Sequence, residues 1–183
     1  FNEENNEEAG EHFTPRDVVS LLCKLVFEPY GNALPPIISI YDPACGSGGM
    51  LTESYEYLVA NGIDANRIRL SGTEINPETY AICKSDLIFN GNTITDNHFE
   101  GSDFGFMITN PPYGKSWSTD QASIYDDNGL KDKRYELILP NFLGENELLD
   151  CTPRTSDGQL LFILEEISKM KSLKIQRQGT RIA

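Results

Sequence analysis

Ile37-Ile38-Ser39-Ile40-Tyr41-Asp42-Pro43-Ala44-Cys45-Gly46-Ser47-Gly48-Gly49 is the stretch that decides the fold. Its opening apolar run, rich in β-branched side chains, suits a buried central strand, and an acid followed by proline ends it. The glycines beyond let a ligand approach the backbone closely at the start of a helix. That helix is expected over 50–60, with Asn61-Gly62 as its stop. Further along, residues 68–73 read as a second strand and 77–89 as a second crossover helix, stopped by Asn90-Gly91. A weak third strand is expected at 98–100 and a firmer fourth at 104–109. Upstream, Val18, Leu21, Leu22, Leu25 and Val26 recur at helical spacing, which predicts a helix over 15–27 that buries this face. Thr14 is its expected cap, Pro15 suits its first position, and Asp17 favours the dipole. Strands alternating with helices imply right-handed parallel crossovers, hence an α/β, doubly wound sheet.

The 183 residues amount to one domain. Lys and Arg total 15 against 28 Asp and Glu, a net charge of −13, which excludes a chain that grips nucleic acid or an anionic membrane by bulk charge. A nucleic-acid role must then be local or shared with a basic partner. Cys23, Cys45, Cys83 and Cys151 stand far apart without a CxxC pair, and His12 and His98 are too few to complete a zinc site, so no metal is expected. The cysteines read as reduced thiols of a cytoplasmic protein. No run reaches the roughly 18 to 20 apolar residues of a membrane span, so membrane association is not expected. Residues 1–10 form an acidic lead-in with little to bury. Between Ser116 and Pro153 periodicity dissolves, and 116–153 is expected to be an irregular insertion, a functional loop or disordered. Its basic cluster, Lys131, Lys133 and Arg134, reads as solvated charge. After Ser156-Asp157-Gly158-Gln159 a helix resumes through Leu160, Leu161, Ile163, Leu164, Ile167 and Met170, and Arg181-Ile182-Ala183 opens another strand.

Three elements carry chemistry. Gly46, Gly48 and Gly49 miss the GxGxxG spacing of dinucleotide folds, and uncharged Ser47 among them suits a cofactor without phosphate; the alternative is a purely conformational turn. Glu74, at the tip of the second strand, is placed to accept the hydroxyls of a ribose, or else to cap the helix that begins near Pro77. In Asn110-Pro111-Pro112-Tyr113 the prolines stiffen the backbone and remove donors, leaving Asn110 Oδ1 and the Pro111 carbonyl as acceptors for an exocyclic amine. Tyr113 would give a flipped base a ring to stack on. The alternative there is a proline turn closing a strand.

Asp42-Pro-Ala-Cys-Gly-Ser-Gly-Gly, Gly72-Thr-Glu-Ile-Asn-Pro and Asn110-Pro-Pro-Tyr-Gly, in that order, resemble the S-adenosylmethionine-dependent N6-adenine DNA methyltransferases. Glu11-His12-Phe13-Thr14-Pro15-Arg16, Thr155-Ser-Asp-Gly-Gln-Leu-Leu-Phe and Ser168-Lys-Met-Lys narrow the resemblance to the modification subunit of type I restriction-modification systems. It runs from about Gly10 to the C-terminus, weakest over 116–153. The resemblance implies a Rossmann-like methyltransferase domain over 11–183 that methylates N6 of a flipped adenine. It implies that S-adenosylmethionine is held by Glu11, His12, Phe13, Thr14, Pro15 and Arg16, by Asp42 with Gly46, Ser47, Gly48 and Gly49, and by Glu74 at its ribose. Asn110, Pro111, Pro112 and Tyr113 would receive the adenine and be catalytic. The implied partners are double-stranded DNA, a DNA-specificity subunit and a nuclease-translocase subunit. Two departures stand out. Gly101-Ser102-Asp103 leads at once into Phe104 where the family has a longer stretch, which leaves Asp103 a weak candidate for the cofactor's adenine. The chain also stops at Ala183, so a fragment with an incomplete sheet is expected. Two other functions remain open: methylation of the glutamine amide of translation release factors, and a non-catalytic assembly module.

Overall fold

The computed structural model describes residues 14–83, 88–172 and 179–183. In chain order the elements are α1 (Arg16–Phe27), β1 (Ile38–Asp42), α2 (Gly49–Ala60), β2 (Ile68–Glu74), α3 (Pro77–Ile82), β3 (Ile88–Asn90) and β4 (Phe106–Met107). Then come α4 (Gln121–Ile124), β5 (Tyr125–Asp126), β6 (Gly129–Leu130), β7 (Glu136–Pro140), β8 (Asn146–Asp150), α5 (Gln159–Ser168) and β9 (Arg181–Ile182). One sheet of five strands runs in the order β3-β2-β1-β4-β9, and each neighbouring pair is parallel. This is the doubly wound α/β sheet expected from the alternation of strand and helix, with β1 at its centre and the order reversing between β1 and β4, where such sheets open a crevice at the strand ends.

Side-chain alternation along β1 divides the core. Ile38 and Ile40 face α1 and α2, in a cluster with Val19, Cys23, Val26, Phe27, Leu51, Leu58, Phe106 and Ile108. Tyr41 faces the other way, into Phe99, Phe104 and Met107. It stacks on Phe104 at 4.6 Å between centroids and meets Phe99 edge-on at 5.2 Å, both favourable ring arrangements. A third cluster joins Trp117, Ile124 and Tyr135 to Leu161 and Leu164 of α5.

The structure corrects several expectations. On α1 the buried residues are Val19, Cys23, Val26 and Phe27, whereas Val18, Leu21 and Leu25 are exposed. Small Cys23, 3.5 Å from Ser54 Oγ, lets α1 approach α2 closely and turns the helix about one residue from its most apolar face. Thr14 does not cap α1; Pro15 occupies the N-cap, and no side chain closes it. The helix expected over 77–89 ends at Ile82, and Ile88–Asn90 is instead the edge strand β3, paired with the end of β2; residues 84–87 lie outside the described residues. The strand expected at 98–100 is a turn. Phe99 is buried there through backbone turns closed by Glu100 N on Asn97 O and Ser102 N on Phe99 O, so burial did not require strand alternation.

The 116–153 segment is not irregular throughout. It holds the antiparallel hairpins β5-β6 and β7-β8, with Glu136 opposite Asp150 and Ile138 opposite Leu148. Trp117, Ile124 and Tyr135 pin it against α5. Arg134 is not solvated charge either: it is 5% exposed and fully engaged by polar partners.

Candidate active site

Parallel pairing brings the C-terminal ends of β1, β2 and β4 to one edge of the sheet. Asp42 stands opposite Gly72 in the β1-β2 register. The chain passing Met107 continues the ladder, since Ile108 N donates to Tyr41 O and Thr109 N to Ala183 O. Asp42, Glu74 and Thr109-Asn110 therefore share one edge, although they lie far apart in sequence.

Asp42 is the hinge of the arrangement. Its Oδ1 accepts from Ala44 N at 3.0 Å, fixing the turn after β1, and from Thr109 Oγ1 at 2.8 Å, fixing the residue before Asn110. The glycine-rich turn and the Asn-Pro-Pro-Tyr segment are thus tied to one buried carboxyl. Burial pushes that carboxyl up to about 7, with the charge of Glu74 adding to the rise and the two hydrogen bonds opposing it.

The turn is held to β2 by Cys45 N donating to Thr73 O at 3.0 Å, and closes on itself through Gly48 N to Cys45 O at 2.8 Å. Gly46 and Gly48 have φ of 54° and 82°, a region that glycine enters at little cost. A Cβ on Gly46 would meet nothing within 4 Å, so its backbone faces open space. At Gly48 it would lie 2.4 Å from Cys83 Sγ. Ser47 is half-buried and Gly49, at the start of α2, is exposed.

Glu74 is nearly buried, and its Oε1 accepts from Asn76 N at 2.7 Å. The capping alternative falls to its neighbour: Asn76 Oδ1 accepts from Glu78 N at 2.8 Å and Thr79 N at 3.3 Å. Asn110 is exposed, and its Nδ2 donates to Thr14 Oγ1 at 3.2 Å, which orients the amide so that its acceptor, Oδ1, points away from Thr14. The segment before α1 therefore meets the segment after β4, two motifs separated by nearly the whole sheet. Pro111 is buried, Pro112 half-buried, and Tyr113 is 69% exposed. Arg16 lies on the surface and pairs with Glu53 at 3.2 Å. Asp103 is exposed in the loop before β4, at the opposite end of that strand from Thr109 and Asn110. Glu11, His12 and Phe13 lie outside the described residues. Among the described residues no group of three or more His, Cys, Asp or Glu could hold a metal ion, and no helix is long and apolar enough to cross a membrane.

Sequence reasoning missed several residues on which this edge depends. Gly72 sits mid-strand because a Cβ there would lie 2.9 Å from Cys45 Sγ and 3.1 Å from Asp42 O; a glycine inside a strand is the signal that points to such close approach. Thr109 carried no signal beyond its place before Asn110. Glu166 of α5 is fully buried with no hydrogen-bond partner for either oxygen among the described residues. Burial, then the charges of Asp42 and Glu165, push it up to about 8.

Fold and site together define a doubly wound, parallel-sheet α/β protein whose glycine-rich turn and Asn-Pro-Pro-Tyr segment meet at the strand ends. The chain belongs to the N-6 DNA methylase family, whose sequence profile matches residues 1–146. It is 30% identical over 135 residues to the type I restriction enzyme MjaIX methylase subunit of Methanocaldococcus jannaschii, an alignment covering 69% of this chain and 23% of that protein. It is 26% identical over 138 residues to the type I restriction enzyme HindI methylase subunit of Haemophilus influenzae, covering 69% of this chain and 29% of that protein. The chain thus spans less than a third of these relatives. In fold it is similar to the type I restriction-modification methyltransferase subunit of Streptococcus thermophilus, with a TM-score of 0.64 at 22% identity over 90% of this chain and 33% of that one. A modification subunit of a putative type I restriction enzyme from Vibrio vulnificus gives 0.62 at 18% identity, over 97% of this chain and 34% of that one.

Proposed function

We propose that this chain is catalytic sequence of a type I modification subunit, transferring a methyl group from S-adenosylmethionine to N6 of an adenine flipped out of double-stranded DNA. The observation that carries the reading is the Asp42 carboxyl, which ties the glycine-rich turn to the residue before Asn110. The residues fit the cofactor: the backbone at Gly46 faces open space, and carboxylates stand at the tips of β1 and β2. Gly46, Ser47, Gly48 and Gly49 would hold it at the turn after β1, Glu74 would accept from its ribose hydroxyls, and Glu11, His12, Phe13, Thr14, Pro15 and Arg16 would complete its binding set, as the family resemblance implies. When bound, S-adenosylmethionine supplies an electrophilic methyl on a sulfonium. Asn110 Oδ1 and the Pro111 carbonyl accept the two N–H bonds of the adenine amine, which returns its lone pair from the ring to the nitrogen. Their dipoles also face the positive charge that grows there as the new C–N bond forms and the C–S bond breaks. The alkylated nitrogen then loses its proton to water. Tyr113, exposed beside them, stacks on the base. Thr14 acts through Asn110, by holding its amide at Nδ2.

A net charge of −13 suits a chain that leaves most of the phosphate grip to partners such as a DNA-specificity subunit and a nuclease-translocase subunit. The test is transfer of tritiated methyl to an adenine-containing duplex by the chain assembled with its specificity subunit. Asn110→Ala should abolish transfer while leaving cofactor affinity within about threefold, since it removes an acceptor on the amine and, toward the cofactor, only one exposed hydrogen bond to Thr14. Transfer by that variant at the parent rate would overturn the assignment. Transfer to a purified release factor and not to DNA would instead establish glutamine methylation.

A further inference from the structure

The 116–153 segment reaches the root of the cofactor turn through a buried polar network. Arg134 Nη1 donates to Thr93 O at 2.7 Å and to Glu165 Oε2 at 3.1 Å, and Nη2 donates to Ile94 O at 2.9 Å. Asp132 holds the guanidinium through Nε and, at 2.6 Å, through Nη2. Tyr135, the next residue, also donates to Ile94 O, at 3.1 Å. Thr93, 6% exposed, donates its hydroxyl to the carbonyl of Pro43, within the turn that follows β1. On the other side of that turn, Tyr41 OH donates to Glu165 Oε1 at 2.9 Å, and Lys169 Nζ lies 3.3 Å from the same oxygen. Arg134 therefore holds, through one partner on each side, the residue before Asp42 and the residue after it.

We infer that Arg134 and Thr93 are positioning residues for the cofactor turn, setting its shape by fixing the Pro43 carbonyl from the 116–153 segment. This rests on the reading of that turn as the S-adenosylmethionine site. The planar guanidinium suits the task, because its fork engages two backbone carbonyls and two carboxylates at once, which a lysine cannot do. Buried ionic groups are costly unless every donor is matched, and here the matches reach the turn, two loops and α5 together. A segment that only decorated the surface would need no such charge in its core.

The experiment compares the parent chain with Thr93→Val, which keeps the shape of the side chain and removes the hydroxyl, and with Thr93→Ser, which restores it. Two measurements are made: calorimetric titration with S-adenosylhomocysteine, and amide hydrogen exchange of the chain without cofactor. Thr93→Val should weaken S-adenosylhomocysteine about five-fold, the worth of one hydrogen bond, and speed exchange at residues 45–49 while leaving 161–164 of α5 unchanged. Thr93→Ser should recover both, and Arg134→Lys should weaken binding more than Thr93→Val. Unchanged exchange at 45–49 in Thr93→Val, or faster exchange there and in α5 alike, would overturn the positioning role. If the parent chain binds no S-adenosylhomocysteine, it is the cofactor reading that falls, while the exchange data still decide whether Thr93 shapes the turn.

Discussion

Glu166→Gln should make this protein more stable in alkaline solution than its parent. The Glu166 carboxyl is fully buried and has no hydrogen-bond partner among the described residues, and burial, reinforced by Asp42 and Glu165, raises it from 4.5 to about 8. Between those two values the folded state holds a proton that the unfolded chain has released. Stability from this group is therefore fully present below about pH 4.5 and is lost as the pH climbs toward 8. At about 1.4 kcal/mol for each pH unit, the loss is on the order of 5 kcal/mol, a large part of the roughly 5 to 15 kcal/mol that holds a domain folded. Asp42, raised from 3.8 to about 7, loses stability in the same direction and keeps doing so in the variant. Glutamine has nearly the same shape and never ionises, so Glu166→Gln should match the parent within about 1 kcal/mol at pH 5 and exceed it by several at pH 9. Urea unfolding at pH 5, 7 and 9 reads this directly. Parallel losses in the two proteins across that range would refute the reasoning and mean that Glu166 is paired or solvated.

Three further changes probe the strand ends. Gly72→Ala puts a methyl 2.9 Å from Cys45 Sγ and 3.1 Å from the Asp42 carbonyl, and should cost about 1 to 3 kcal/mol in urea unfolding; an unaffected midpoint would show that the β2 backbone gives way freely. Glu74→Ala should weaken S-adenosylmethionine by about tenfold in calorimetry, as expected for a charged acceptor, and unchanged affinity would remove Glu74 from the ribose role. Thr109→Val removes one of the two hydrogen bonds that Asp42 Oδ1 accepts and with it an influence that lowers that carboxyl. The Asp42 titration, followed by NMR, should then move upward, and a downward move would contradict the tether.

Legibility in the sequence followed the range of the interactions. The β1 strand, its glycine turn and α2 were readable because they are set by local propensity and by glycines in positive-φ geometry at Gly46 and Gly48. Asn110 and Glu74 could be picked out from their place at strand ends, and both lie on the same edge of the sheet. The β3 strand was not readable, since its three residues gain strand geometry only by pairing with the tip of β2. The hairpins of 116–153 escaped for a similar reason. In β7-β8 the cross-strand pair of Ile138 and Leu148 is exposed, so burial imposes no alternation there, and β5-β6 has only two residues per strand.

What the sequence determined by itself was the order of strand, glycine turn, helix and Asn-Pro-Pro-Tyr, and with it a doubly wound fold of the N-6 DNA methylase family, because these features need only neighbours in the chain. What the tertiary structure decided was the joining of distant groups: Asp42 to Thr109, Asn110 to Thr14, and Arg134 to Thr93 and Glu165. The same charged residue is solvated on an open loop and a core anchor in a closed one. Sequence fixes which partners exist, but burial, which sets the strength of every polar contact among them, comes only from packing.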